Sequence, residues 1–256
     1  MYRFHQVLSA THSPHKALAE STPSAAMLGG IWMEANVAIK MGFEPWLPDG
    51  LGMDMEEIAR YDLQADRVVE CLDGIPGLEY QPVLSWPWGS DEIVSVRQAE
   101  GHPDFLASVE HEIIDLKTTE YPTEELLNRL LHSIQMCSYI AAYECEHGVM
   151  PSLQIILASR LVEPEPVLFN KNGTVSLSGQ NADHASLLEA VSLMGDKADE
   201  RHWAMVYKAP VWCPIMVGTL DVDECRELAR IGTIFLDAGL AILNTGLAES
   251  IYRPYT

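Results

Sequence analysis

The sequence predicts an α/β fold built on a central mixed sheet flanked by helices, and three observations carry that expectation. Apolar residues recur at helical spacing near both ends of the chain, short extended runs fill 78–117 between them, and one more extended run follows a helix at 152–161. Helix, strands, helix and strand in that order make a layered domain around one sheet.

The elements follow in turn. Residues 23–41 look helical, with Pro23 suited to the first turn and Gly42 to the stop. A second helix spans 54–73, opened by Asp54 and closed by Gly74. The segments 78–86, 93–98, 105–109 and 112–117 read as strands. One long helix is expected over 123–147, capped by Thr123, ended by Gly148 and striped by Leu127, Leu130, Leu131, Ile134, Ser138 and Ala141. A strand follows at 152–161 and another is a candidate at 167–177, before a mostly helical final third with 221–247 its clearest helix.

A length of 256 residues and a hydrophobic fraction of 48% fit one domain with a real core. The expected division is a core at about 23–162 and a mostly helical addition at about 181–256. No run of about 18 apolar residues marks a membrane helix. The opening Met1–Gln6 lacks the layout of a secretion signal, so a cytoplasmic protein is expected. Cys71, Cys137, Cys145, Cys213 and Cys225 form no CxxC pair and point to reduced thiols. A net charge of −21 argues against a broad basic surface for nucleic acid, yet leaves open what a single cleft contains.

Chemistry concentrates between Gly101 and Thr119. Two apolar runs flank a polar patch at 108–112, and a hairpin turning about Val109-Glu110 sets Asp104 opposite Asp115. Their Cβ atoms would lie about 4.5–5.5 Å apart. Lys117, two residues on from Asp115, shares its face. Facing carboxylates repel, and a hard cation such as magnesium resolves that repulsion while retaining waters for chemistry. A lysine beside it can orient water and offset charge on a phosphate, which is what metal-assisted phosphoryl transfer requires.

Pro103-Asp104 followed by Ile113-Ile114-Asp115-Leu116-Lys117 resembles the core motif of PD-(D/E)XK nucleases, with a restriction-endonuclease-like core, in its Asp-x-Lys form. Gln135 and Tyr139 are similar to the Q-x-x-x-Y motif of the branch containing RecB nuclease domains, lambda exonuclease and RecE. Four residues apart, they share a helix face with His132. Gly30-Ile31-Trp32-Met33-Glu34 looks like that branch's G-x-x-x-E motif, and Glu79 more loosely resembles a further acidic position. Ser9, Ser13 and Lys16 resemble the opening of RecE-type phage nucleases, whereas His102 stands where those sequences tend to carry arginine. The resemblance covers about 8–145.

The resemblance implies a phage-type nuclease in a bacterial cytoplasm, digesting linear duplex DNA from an end, 5′ to 3′, in recombination or repair. Glu34, Asp104 and Asp115 would hold Mg2+ or Mn2+, and Lys117 would position water. Gln135 and Tyr139 would steady the scissile strand, with Ser9, Ser13, Lys16 and His132 also near DNA. Expected partners are DNA ends, further copies of the chain and a single-strand-annealing recombinase. The copies would form a trimeric or tetrameric ring whose wall draws on Arg3, Lys16, Lys40, Arg129 and Arg160. The cysteine placement excludes the iron–sulfur members. The alternatives are an endonuclease or single-strand nuclease on the same fold, or a non-catalytic acidic scaffold that mimics DNA.

Overall fold

The computed structural model describes residues 2–3, 25–45, 55–88, 97–119, 122–159, 165–180, 182–209 and 215–244. Its elements are β1 (Tyr2–Arg3), α1 (Ala25–Lys40), α2 (Met55–Leu72), β2 (Leu78–Tyr80), β3 (Leu84–Trp88), β4 (Arg97–Gly101), β5 (Phe105–Ala107) and β6 (Glu112–Thr119). They continue with α3 (Glu124–Leu131), α4 (Ile134–His147), β7 (Ser152–Ser159), α5 (His184–Leu193), α6 (Glu200–Lys208), β8 (Ile215–Leu220) and α7 (Val222–Asn244).

The main sheet is mixed and five-stranded, in the order β2-β5-β6-β7-β8. Only β6 and β7 run parallel, joined by the crossover through α3 and α4, and the other neighbours are antiparallel. Alternation along β6 divides the core. Ile114 and Leu116 pack with Met33 and Val37 of α1 and with Val68 and Leu72 of α2. Ile113 faces the other way, joining Leu131 of α3, Met136 and Ile140 of α4, and Leu236 of α7. Helices on both faces of a mixed sheet give the α/β architecture that the element order predicts. Against the second face α4 and α7 approach so closely that a Cβ on Gly232 would fall 2.0 Å from the Cys137 carbonyl oxygen. No helix among the described residues is long and apolar enough to cross a membrane.

Several expectations need correction. The run 78–86 is not one strand, because Gln81 takes a left-handed φ of 44° and Pro82 offers no N–H. The chain therefore leaves the main sheet after β2, and β3 joins a separate sheet in the order β1-β4-β3. Pro87 is tolerated there because β3 lies at an edge. Of the strand expected at 93–98, Arg97 and Gln98 open β4, which runs on to Gly101, while 93–96 lie outside the described residues. The helix expected over 123–147 breaks at His132, where Ser133 caps a new helix by accepting from the Met136 N–H at 3.4 Å. The two halves serve different surfaces, α3 lying on β7 and β8 and α4 on β3 and α7. Residues 167–177 form a turn closed by a single Phe169–Val175 bridge instead of a strand. The C-terminal third is not a helical addition alone, since it supplies β8 to the main sheet and α7 to its helical layer.

Candidate active site

The β5–β6 hairpin sets the site. Phe105 faces Ile114, Leu106 faces Ile113 and Ala107 faces Glu112, so the hairpin turns about Val109-Glu110 as its flanking apolar runs require. A four-residue connection absorbs the poor Val-Glu turn pair by placing His111 at a φ of 55°, a conformation that histidine enters more readily than most residues. One step beyond Phe105, Asp104 Oδ2 accepts from the Leu116 N–H at 2.6 Å. Strand alternation sends Asp115 and Lys117 to the α4 face, where Asp115 is 1% exposed and ion-paired with the Lys117 ammonium.

These groups shape one another's charge. Burial, followed by the charges of Asp115 and Glu34, holds the Asp104 carboxyl well above the usual carboxylate range, against the pull of Lys117 and the Leu116 N–H. Burial opposes charge on Lys117, but Asp115 and Asp104 outweigh it and raise the ammonium further. Lys117 is thus a fixed cation and not a candidate base near neutral pH. The Tyr139 phenol is also pushed up, first by burial and then by Asp115. It remains a proton donor, and its hydroxyl donates to the His102 carbonyl at 3.1 Å while accepting from Gln135 Nε2 at 2.9 Å.

Glu34 approaches from α1. Its Oε1 accepts from the Tyr80 hydroxyl at 3.0 Å and from Gln81 Nε2 at 2.6 Å. Burial and the neighbouring Glu34 charge raise the Tyr80 phenol, keeping that donor protonated. The Tyr80 ring is fixed by stacking on Phe43 and by a tilted contact with Phe105, at centroid distances of 5.8 and 5.5 Å. The Gln81 N–H, meanwhile, donates to the Asp104 carbonyl at 2.9 Å.

The structure thus brings Asp104, Asp115 and Lys117 together, with Glu34 close enough for its charge to reach Asp104. Tyr139 is only 5% exposed and its hydroxyl donates to the His102 backbone carbonyl, while half-buried Gln135 donates to that hydroxyl. His132 does not share their helix. It caps the end of α3, its Nδ1 2.8 Å from the Asn128 carbonyl. Glu79 points to the opposite side of β2 from Tyr80, where its charge helps raise the Tyr143 phenol behind the leading effect of burial. Ser9, Ser13 and Lys16 lie outside the described residues. Sequence reasoning missed Tyr80 and Gln81. The signal available was Pro82, which ends a strand and so frees the residue before it to turn toward α1.

The donor types suit a hard divalent cation: the charges of Asp115 and Glu34 both reach Asp104 and oppose its ionisation, and such an ion would relieve that repulsion. As placed, no group of three potential ligands among the described residues is close enough to enclose an ion. The fit is therefore one of donor type and charge.

No protein-family model matches the chain, and neither does any curated protein sequence. Among solved structures, the chain is similar to a phage-related exonuclease from Haemophilus somnus 129PT, at 15% identity over 97% of this chain and 96% of that one, with a TM-score of 0.35. It is also similar to SSO0001, at 11% identity over 60% of this chain and 71% of that one, with a TM-score of 0.26. Superposition at that level carries no argument about activity.

Proposed function

We propose that the chain is a metal-dependent DNA nuclease of PD-(D/E)XK type that digests linear duplex DNA from an end, 5′ to 3′, in recombination or repair. The observation that carries this reading is the hairpin geometry, which sets Asp104 against the strand bearing Asp115 and the ion-paired Lys117. Its surroundings raise the cost of ionising Asp104, and that is a reason to look for function here. The polarity and the preference for ends rest on the sequence resemblance alone.

In this reading Glu34, Asp104 and Asp115 would hold Mg2+ or Mn2+, which when bound supplies an activated water and polarises the phosphoryl oxygen. The residues themselves do the positioning. Lys117 carries a permanent positive charge toward the scissile phosphate and orients the attacking water. Asp115 holds Lys117 in place. Gln135 and Tyr139 anchor the His102 carbonyl and through it the Pro103-Asp104 step.

The net charge of −21 favours a second reading, a non-catalytic acidic scaffold that mimics DNA. A mimic has use for exposed acid but none for a buried Asp115 paired with lysine. One assay separates the readings: linear and circular duplex, with and without Mg2+, using wild type and Asp115→Asn. The nuclease reading expects Mg2+-dependent loss of linear DNA by wild type alone. Equal cleavage by the variant would remove Asp115 from the chemistry, and an inert wild type would favour the scaffold.

A further inference from the structure

Gln81 occupies a position that its side chain makes costly. Its φ of 44° lies in the left-handed region that favours glycine, and the side chain is exposed, so core packing does not explain it. What the residue does is join two parts of the site. Its backbone N–H donates to the Asp104 carbonyl at 2.9 Å, and its Nε2 donates to Glu34 Oε1 at 2.6 Å. The Tyr80 hydroxyl donates to the same oxygen at 3.0 Å. Two donors on Oε1 fix the plane of the carboxylate and leave Oε2 without a donor among the described residues. Backbone strain that persists at an exposed polar residue belongs with sites where geometry must be held.

We infer that Gln81, assisted by Tyr80, is a positioning residue that locks the Glu34 carboxylate to the Asp104 loop, so that the two acids keep one separation while a divalent cation enters. The inference rests on the nuclease reading. Glu34 sits on a helix on one face of the sheet and Asp104 at the end of a hairpin, and no covalent neighbour holds them in register. Gln81 closes that gap with one backbone bond and one side-chain bond. Groups that orient metal ligands typically cost 10–100-fold in affinity or activity when removed.

The test uses Gln81→Gly, which suits the left-handed backbone and keeps the N–H bond to Asp104 while deleting the side-chain donor. Calorimetry with Mn2+ alone should show affinity weakened by about tenfold or more, with Tm unchanged or raised. Excess Mn2+ should restore most of the cleavage rate, which a misfolded variant would not permit. Tyr80→Phe, which retains both ring contacts, should weaken Mn2+ binding in the same direction by a smaller factor. Wild-type Mn2+ affinity in Gln81→Gly overturns the inference and leaves the nuclease reading standing. A wild-type chain that takes up no Mn2+ and cuts no DNA overturns that reading, and this inference with it.

Discussion

The Leu116 backbone N–H donates to Asp104 Oδ2 at 2.6 Å, so the strand between Asp115 and Lys117 itself holds the facing acid. The spacing of the two acids is therefore set by main chain on one side and does not depend on two flexible side chains finding each other. The same bond favours the ionised form of Asp104, while burial and the charges of Asp115 and Glu34 oppose it with greater weight.

That balance predicts a trade between activity and stability at Asp104. Its folded-state carboxyl is raised above the unfolded value, so its stabilising contribution is complete in acid and lost as pH rises through the raised value. Near neutrality, ionisation strains the fold. Asp104→Asn should abolish cleavage yet raise Tm at pH 7 by about 2–4 °C, which is about 1 kcal/mol for a domain of this size. The gain should vanish near pH 3, where wild type is protonated too. Thermal unfolding across pH measures it. A variant less stable than wild type at pH 7 would mean that the Lys117 and Leu116 contacts outweigh the repulsion.

Lys117 behaves in the opposite sense. Its folded ammonium is raised, so its contribution persists at any pH below its unfolded value and is lost only in strong alkali. Lys117→Ala leaves Asp115, 1% exposed, without its ion-pair partner. The expected loss is about 2–3 kcal/mol, below the roughly 3–5 kcal/mol of a fully buried pair because the lysine side chain is 29% exposed. The double variant Lys117→Ala, Asp115→Asn should recover most of it. Chemical denaturation of the three variants reads the cycle, and simple addition of the two losses would show the pair to be uncoupled.

How much of this was legible depended on the range of the interaction. The hairpin was readable because Phe105, Leu106, Ile113 and Ile114 are apolar and nearly symmetric about Val109-Glu110, and a slip of one residue would turn both runs inside out. The break at Ser133 was hidden because no proline or glycine marks it and the apolar stripe runs straight through. What breaks the helix is tertiary, with α3 committed to β8 and α4 to α7. Strand β8 was hidden for a similar reason, since Gly218 reads as a poor strand residue. It is needed because a Cβ there would come within 2.9 Å of both Leu127 and Leu131. The hydrogen bonds that hold Glu34 join residues 46 and 47 positions apart, beyond any periodic signal.

The Gln135–Tyr139 pair gives a third prediction. Tyr139→Phe removes one bond to the His102 carbonyl and one from Gln135, at a stability cost of about 1–2 kcal/mol. Its larger effect should fall on turnover, about tenfold or more, because the Pro103-Asp104 step loses its anchor. DNA affinity should stay within a factor of about two, since the hydroxyl faces inward. Binding measured by fluorescence anisotropy alongside turnover separates the two. A large loss of affinity with unchanged turnover would place Tyr139 on the DNA instead.

On the proposed nuclease reading, an acidic chain has to hold a polyanion, and the last prediction concerns how. With a net charge of −21 it has few cations to offer, and one of the candidates is paired within the chain. Lys40 is engaged by Asp62 at 2.9 Å and by Asp66 at 2.8 Å across the α1–α2 interface. Those carboxylates raise its ammonium and leave the local charge negative. We therefore expect Lys40 to contribute little to a DNA-facing wall, because its charge is already engaged within the chain. Arg129 is exposed on the last turn of α3, whereas Lys16, Arg160 and the Arg3 side chain lie outside what the structure describes. We propose that several copies close around the duplex, so that each supplies a few basic groups to a shared channel. Lys40→Gln should leave DNA affinity unchanged, while Arg129→Gln should weaken it several-fold and lower the salt dependence by roughly one phosphate's worth per subunit. Light scattering should give a trimer or tetramer for wild type and both variants. A strict monomer that digests long duplexes without release would exclude the ring, and a loss of affinity in Lys40→Gln would return that lysine to the DNA surface.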